Sequence, residues 1–260
     1  MTIPTQTGPR PLLLIAHPGH ELRLFGWLRR ANPLIAILTD GSGSTGISRI
    51  DLSEKLVAGI GGEIIMAGRF AEPELYEIMM RGDVAPLARM VDELAARMRI
   101  EGTRMVVCDS GEGYHPGHDL CLPLATRATE LCRASGGAAQ IRQCEYRVVG
   151  DPRAGGAKEC VLVLDDATLR DKIRESRSYA AASGDVLTQE VQYMFETYGE
   201  DSFRYEGLAP AGTEAPQLHD GLRYYERRGE ERVREGRYRQ VLRHATHIAP
   251  LVAALQARAN

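Results

Sequence analysis

Four short, largely apolar runs constrain the fold of this chain more than any other feature of its sequence. They cover residues 11–16, 34–39, 63–66 and 105–108, and the stretches between them have helical patterns. Runs of this length and character are typical of strands that are buried on both faces, as in a parallel sheet. Strands that alternate with helices form βαβ units with right-handed crossovers. We therefore expect an α/β fold with a Rossmann-like, mostly parallel sheet flanked by helices.

The pattern changes after residue 140. Two further strands and two helices are predicted there, at residues 144–149, 159–164, 167–182 and 186–198. Residues 207–216 are rich in glycine and proline and predict a loop, and a charged helix is predicted to begin near Asp220. We expect one α/β domain over residues 1–206. A C-terminal loop and an arginine-rich helical segment, residues 207–260, should pack on it.

The bulk composition argues against several classes of protein. The chain has 260 residues and a net charge of −3, so no charge excess points to nucleic acid or to an anionic membrane. No apolar run approaches the roughly 18 residues of a membrane span, and residues 12–16 are too few for the core of a signal peptide. The five scattered cysteines contain no CxxC pair, which favours buried, reduced thiols over a disulfide or a ligand role. We expect a cytoplasmic protein without a nucleic-acid partner.

The sequence His-Pro-Gly-His occurs twice, and an acidic residue follows each copy. The copies occupy residues 17–21 and 115–119, just beyond two of the apolar strands and just before helical patterns. Ligands of such sheets gather at the carboxyl ends of the strands. Proline fixes φ and glycine permits a tight turn, so each loop can present two imidazoles to one crevice. Histidine is the commonest metal ligand near neutral pH, and the pattern therefore predicts one divalent-metal site.

Residues 16–21, Ala-His-Pro-Gly-His-Glu, resemble the AHPDDE signature of the PIG-L/LmbE-like N-acetylglucosaminyl deacetylases. Residues 115–118 resemble the second motif of that family, HPDH. Smaller agreements are found at residues 38–41 and at Glu54, Ala58 and Gly61. The resemblance is good over residues 11–130 and looser beyond them.

The resemblance implies a role for each histidine of the two motifs. His17 and His118 would be zinc ligands, and His20 stands where the family has its aspartate ligand. His115 would stabilise the oxyanion or protonate the leaving amine. The implied reaction is attack of a zinc-activated water on an acetamide. Iron or manganese in place of zinc remains an alternative.

The chain departs from the family at the catalytic base. Gly19 stands where the family keeps the aspartate that serves as general base, and Gly117 replaces a second aspartate. Glycine cannot accept a proton, and loss of a general base typically costs 10²–10⁴-fold in rate. Four acidic residues are candidates to replace it: Glu112, Asp40, Glu21 and Asp119. We place Glu112 first, because its loop enters the second motif, and Asp40 next, because it ends the second strand.

These observations predict a metal-dependent amide hydrolase that removes an acyl group from an amino sugar or a related small metabolite. The alternative is a relative that keeps the fold and the metal but has lost deacetylation or performs different chemistry.

Residues 223–243 contain eight arginines and four glutamates. They predict a solvated helix face or, alternatively, a binding site for the phosphate of a glycoconjugate substrate. The formation of a homo-oligomer is left open.

Overall fold

The computed structural model describes residues 8–43 and 45–258, and a seven-stranded sheet lies at its centre. The strands are β1 (Leu12–Ile15), β2 (Leu34–Ile37), β3 (Glu63–Met66), β4 (Met105–Asp109), β5 (Arg142–Tyr146), β6 (Cys160–Val163) and β7 (Tyr205–Pro210). Their order is β3-β2-β1-β4-β5-β7-β6. Strands β1 to β5 pair in parallel, and β7 is antiparallel to both of its neighbours. The expected Rossmann-like α/β fold is confirmed.

Helices cover both faces of the sheet. They are α1 (Phe25–Ala31), α2 (Ile50–Ile60), α3 (Glu72–Arg81), α4 (Val84–Ile100), α5 (Pro116–Ala134), α6 (Asp166–Ser183), α7 (Asp185–Tyr198), α8 (Tyr224–Arg234) and α9 (Ala249–Ala257). Short 3₁₀ segments span His20–Leu24 and Glu200–Arg204, a π-helical turn spans His244–Ile248, and β8 (Leu218–His219) pairs with β9 (Leu222–Arg223).

Strand β1 shows why the apolar runs have no polar face. Leu12 and Leu14 belong to a core shared with α4, α5 and α9. Leu13 and Ile15 belong to a second core, shared with α1, α2 and α6. Successive side chains of a strand point to opposite faces, so a strand between two helical layers must be apolar throughout.

The chain reverses its direction of travel across the sheet between β1 and β4. It moves outwards from β1 to β2 and β3, returns to β4 on the other side of β1, and continues to β5. The loops that leave β1 and β4 therefore diverge from adjacent strands at one edge of the sheet, where ligands of such folds bind. The backbone N–H of Ala16, after β1, donates a hydrogen bond of 2.7 Å to Asp109 Oδ2, at the end of β4.

The C-terminal part differs from the expected loop. Residues 207–210 belong to β7, which lies between β5 and β6, so the sheet extends past the boundary predicted at residue 206. Helix α9 packs on the sheet domain, since its Leu251 and Leu255 are buried in the first core. Pro250 lies in the first turn of α9. All five cysteines are free thiols. Within the described ranges, no helix is long and apolar enough to cross a membrane.

Candidate metal centre

The two His-Pro-Gly-His loops bring their four imidazoles together. The ring centroids of His17 and His115 are 4.4 Å apart, and those of His20 and His118 are 4.8 Å apart. The other ring pairs in contact are His17–His20, His17–His118 and His115–His118, at 5.1, 5.5 and 5.6 Å. The residues that the repeated motif singled out therefore form one cluster.

Buried carboxylates orient the histidines of the first motif. His17 Nδ1 lies 2.5 Å from Glu72 Oε1, and the Thr39 hydroxyl is 2.8 Å from both atoms. His20 Nδ1 lies 2.7 Å from Asp109 Oδ2. An imidazole whose Nδ1–H donates to a carboxylate offers the lone pair of Nε2 to a cation. His17 and His20 thus have the partners typical of metal-ligating histidines.

The second motif holds its histidines differently. His115 is the N-cap of α5, and its Nδ1 accepts a hydrogen bond of 3.1 Å from the Gly117 N–H. The same Nδ1 lies 2.9 Å from His17 Nε2. His118 Nδ1 is buried and has no hydrogen-bond partner in the described chain. A buried polar atom without a partner in the protein needs a water molecule, an ion or another ligand beside it.

The donor atoms fit a divalent cation. The ligand atoms of His17, His115 and His118 lie within 4.8 Å of one another, and so do those of His20, Asp109 and His118. Two nitrogen lone pairs facing each other, as at His17 Nε2 and His115 Nδ1, repel unless a proton or a metal ion lies nearby. Zinc accepts imidazole and carboxylate ligands of this kind.

Burial keeps the imidazoles of His17, His115 and His118 neutral. Desolvation lowers the pKa of His17, places the pKa of His118 well below its usual value and lowers the pKa of His115 to about 3. Neutral imidazole is the form that binds a metal. Burial alone would raise the pKa of Glu72, but its hydrogen bonds with His17 and Thr39 contribute to a pKa of about 2. The cluster therefore combines neutral nitrogen donors with an ionised carboxylate.

Asp109 and Glu72 were not identified from the sequence. Asp109 is fully buried and follows directly on the apolar residues of β4, so an acid at the carboxyl end of a buried strand was a usable signal. Glu72 begins α3, and no motif marks it. It reaches His17 because Phe70 forms a parallel bridge with Thr39, next to the cluster.

Neither Glu112 nor Asp40 points its carboxylate into the cluster. Glu112 is buried, and its Oε1 accepts hydrogen bonds from the backbone N–H groups of Val148 at 2.5 Å and Val149 at 3.2 Å. Asp40 Oδ1 accepts from the Ser42 N–H, the Ser42 hydroxyl and the Glu72 N–H. Both acids hold backbone that leads to the site. Their roles as proton acceptors stay predictions.

Gly19 occupies a position that would not accept a side chain easily. Its φ is +103°, in the left-handed region that glycine favours. A Cβ built at Gly19 would lie 2.9 Å from Cε1 of Tyr179, on α6. The Tyr179 hydroxyl lies 3.2 Å from the Ser53 hydroxyl. The ring of Tyr179 therefore fills the space beside Gly19.

A cavity of about 440 Å³ opens onto the cluster. All four motif histidines line it, together with Arg49, Tyr114 and a face of α7. Of the described residues that line it, Glu72 and Glu190 carry carboxylates, whereas Glu112 and Asp40 are not part of its wall.

The arginines of residues 223–243 lie outside this cavity wall. Several pair with acids instead: Arg223 with Asp119 at 2.8 Å, Arg228 with Glu231 at 2.6 Å, Arg232 with Glu235 at 2.9 Å and Arg243 with Glu230 at 2.6 Å. These ion pairs favour a solvated helix face over a phosphate-binding site for residues 223–243.

No protein-family model and no curated protein matches the sequence. Solved structures do match. The conserved protein TT1542 from Thermus thermophilus is 21% identical, with a TM-score of 0.51 over 82% of this chain and 97% of its own. The A40926 pseudoaglycone deacetylase Dbv21 is 14% identical, with a TM-score of 0.53 over 80% of this chain and 99% of its own. The chain therefore has the fold of LmbE-like proteins, as the two motifs implied.

Proposed function

We propose that this chain is a zinc-dependent amide hydrolase that removes an acyl group from an amino sugar or a related small metabolite. One observation carries the proposal: four imidazoles and two buried carboxylates converge where the sheet changes direction, at the mouth of a cavity. The likeness to the deacetylase Dbv21 supports the reaction class. The divergent motifs of the PIG-L/LmbE-like family support the same assignment.

His17, His20 and His118 would hold the metal, as the resemblance implies, and Asp109 lies within reach as a further donor. When bound, the metal would acidify water and polarise the amide carbonyl. Glu72 and Thr39 fix the ring of His17, and Asp109 fixes the ring of His20. Partners of this kind typically raise metal affinity by 10–100-fold.

His115 would stabilise the oxyanion, because its Nδ1 accepts the Gly117 N–H and the proton of the neutral ring is then on Nε2. Its Nε2 lies 4.0 Å from Glu72 Oε2, and its ring lines the cavity. For the proton acceptor we place Glu190 ahead of the sequence candidates Glu112 and Asp40. Glu190 lines the cavity, while Glu72 is already paired with His17.

The test combines metal content with turnover. Purified wild type should carry one zinc ion per chain and release acetate from N-acetylated amino sugars. His118→Ala should lose the metal and the activity. His219→Ala is a matched control, because His219 is exposed and its Nδ1 lies 3.1 Å from Asp220 Oδ2, outside the cluster. Retention of the metal by His17→Ala, His20→Ala and His118→Ala alike would refute the site.

Gly19 favours a second candidate, a metal-binding relative that has lost hydrolysis. Tyr179 occupies the space beside Gly19, so the family aspartate has no direct counterpart. This candidate predicts a full metal complement with no release of acid from any amide, and Glu190→Gln would then change nothing. Under the hydrolase proposal, Glu190→Gln should lower kcat by 10²–10⁴-fold without releasing the metal.

A further inference from the structure

The cavity beside the histidine cluster has an apolar wall made by one face of α7. Leu187, Val191, Met194, Phe195 and Tyr198 line it, at a spacing that places them on one side of the helix. Leu187, Val191, Met194 and Tyr198 are only partly buried against the core. This face therefore contributes to the core and also leaves apolar surface directed into the cavity.

Other elements complete this wall. Val148 and Val149 follow β5, and Phe203 lies in the 3₁₀ segment after α7. The N–H groups of Val148 and Val149 are bound to the buried Glu112 carboxylate, so these residues offer the cavity mainly their side chains. Sugar hydroxyls need hydrogen-bonding partners, and this side of the cavity offers few.

The polar side chains that can meet a ligand include the four histidines with Glu72, Arg49, Tyr114 and Glu190. Arg23, Lys172 and Ser176 also line the cavity, but they bond to the Gly150 carbonyl, to Glu206 and to the Lys172 carbonyl. An amide held at the histidines has two substituents, the acyl chain and the amine. The amine of an amino sugar fits the polar groups, and the apolar wall is left for the acyl chain.

We propose that the substrate amide carries a long, unbranched apolar acyl chain, which binds along the α7 wall. The inference rests on the proposed hydrolase function and names its substrate class. Water adds to the acyl carbon, the C–N bond breaks, the amine takes up a proton, and the products are a fatty carboxylate and a free amino sugar. A volume of about 440 Å³ is within the range of small-molecule sites.

The first experiment compares substrates that carry a ten-carbon alkyl chain at two different positions, on the amide or on the glycosidic oxygen. N-decanoylglucosamine should be hydrolysed with a kcat/KM at least about 100-fold above that of N-acetylglucosamine, because each buried methylene strengthens binding by about fourfold. The decyl glycoside of N-acetylglucosamine should gain little. A larger gain for the decyl glycoside would place the chain on the amine side and overturn the proposal.

A second experiment fills the space along the α7 wall with a larger side chain. Val191→Trp should reduce the preference for decanoyl over acetyl by at least about tenfold. Val186→Trp is the matched control, since Val186 is on the same helix, 66% exposed and outside the cavity wall. It should leave the preference unchanged. Met194→Gln, which keeps the length of the side chain, should weaken the preference in the same direction if Val191→Trp fails to fold.

Binding separates this inference from the proposed function. Decanoate should bind the metal-loaded wild type at least about 100-fold more tightly than acetate in calorimetry, and Val191→Trp should reduce the difference. Tight decanoate binding without hydrolysis of any amide would support the apolar site and refute the hydrolase. Hydrolysis of acetyl and decanoyl amides at equal rates, with equal binding of acetate and decanoate, would refute the apolar site alone.

Discussion

The two His-Pro-Gly-His copies have the same sequence but different structures. In the first copy, Gly19 has a positive φ, a 3₁₀ segment follows, and both histidines are held by buried carboxylates. In the second copy, Gly117 lies in the first turn of α5, and His118 Nδ1 has no partner in the described chain. The tetrapeptide delivers four nitrogens to one place, but residues outside it decide how firmly each ring is held. The first copy is the rigid half of the site.

The largest effect is expected from returning the family aspartate to the rigid half. Gly19→Asp combines backbone strain with overlap of the Tyr179 ring, and should destabilise the fold by about 2–5 kcal/mol. It should not raise amidase activity. Gly46→Asp is the control, because Gly46 also has a positive φ but has nothing within 4 Å of a Cβ. Thermal unfolding measures both. Higher activity at unchanged stability would contradict the structure.

The next effect tests the carboxylate under His20. Asp109→Asn keeps the shape of the side chain but removes its charge, and zinc affinity should fall by about 10–100-fold. Asp220→Asn, at an exposed site, is the control. Competition with a chelator measures the affinity. If Asp109→Asn binds zinc as wild type does, the first copy is no more firmly held than the second.

A smaller effect should appear where the C-terminal segment contacts the second copy. Asp119 accepts hydrogen bonds from Arg223 at 2.8 Å, Tyr225 at 3.1 Å and the Gly113 N–H at 3.0 Å. Arg223→Ala removes one of these three and should cost about 1–3 kcal/mol of stability. Arg228→Ala breaks an exposed pair and should change stability by less than about 0.5 kcal/mol. Equal effects in denaturant unfolding would mean that this segment does not stabilise the second copy.

The last effect concerns pH and Glu112, in the loop that enters the second copy. Burial raises its pKa from 4.5 to about 7, although the Val148 N–H and Arg147 oppose the shift. The folded state then holds this proton more tightly than the unfolded chain. The contribution of protonated Glu112 to the free energy of unfolding is full below pH 4.5 and is lost as the pH rises to about 7.

Glu112→Gln should remove this pH dependence. The stability of the variant relative to wild type should therefore increase by about 2–3 kcal/mol between pH 4.5 and 7. Denaturant unfolding at several pH values measures the difference. A difference that stays constant with pH would show that Glu112 is ionised throughout this range. The same variant tests the predicted role of Glu112 in catalysis. Loss of turnover with the metal retained would support Glu112 as the proton acceptor.

The histidine cluster was predictable because two short-range facts sufficed: a repeated motif, and its place after two apolar strands. Glu72 was not predictable, because its contact with His17 depends on where α3 begins relative to β2. Glu112 was selected because it is close to the motif in sequence. That closeness did not reveal that its carboxylate turns towards the backbone of Val148. Strand β7 was missed because its residues include Gly207 and Pro210, which are typical of loops.

The packing of Tyr179 against Gly19 also constrains how this sequence can change over time. An aspartate at position 19 is compatible with the fold only if the tyrosine shrinks or moves, and a smaller residue at position 179 alone would leave an unfilled space in the core. Each single step passes through a less stable protein, whereas the pair together need not. The two positions are therefore expected to vary jointly among descendants of this chain. A lineage that keeps the tyrosine at position 179 is held away from an aspartate at position 19.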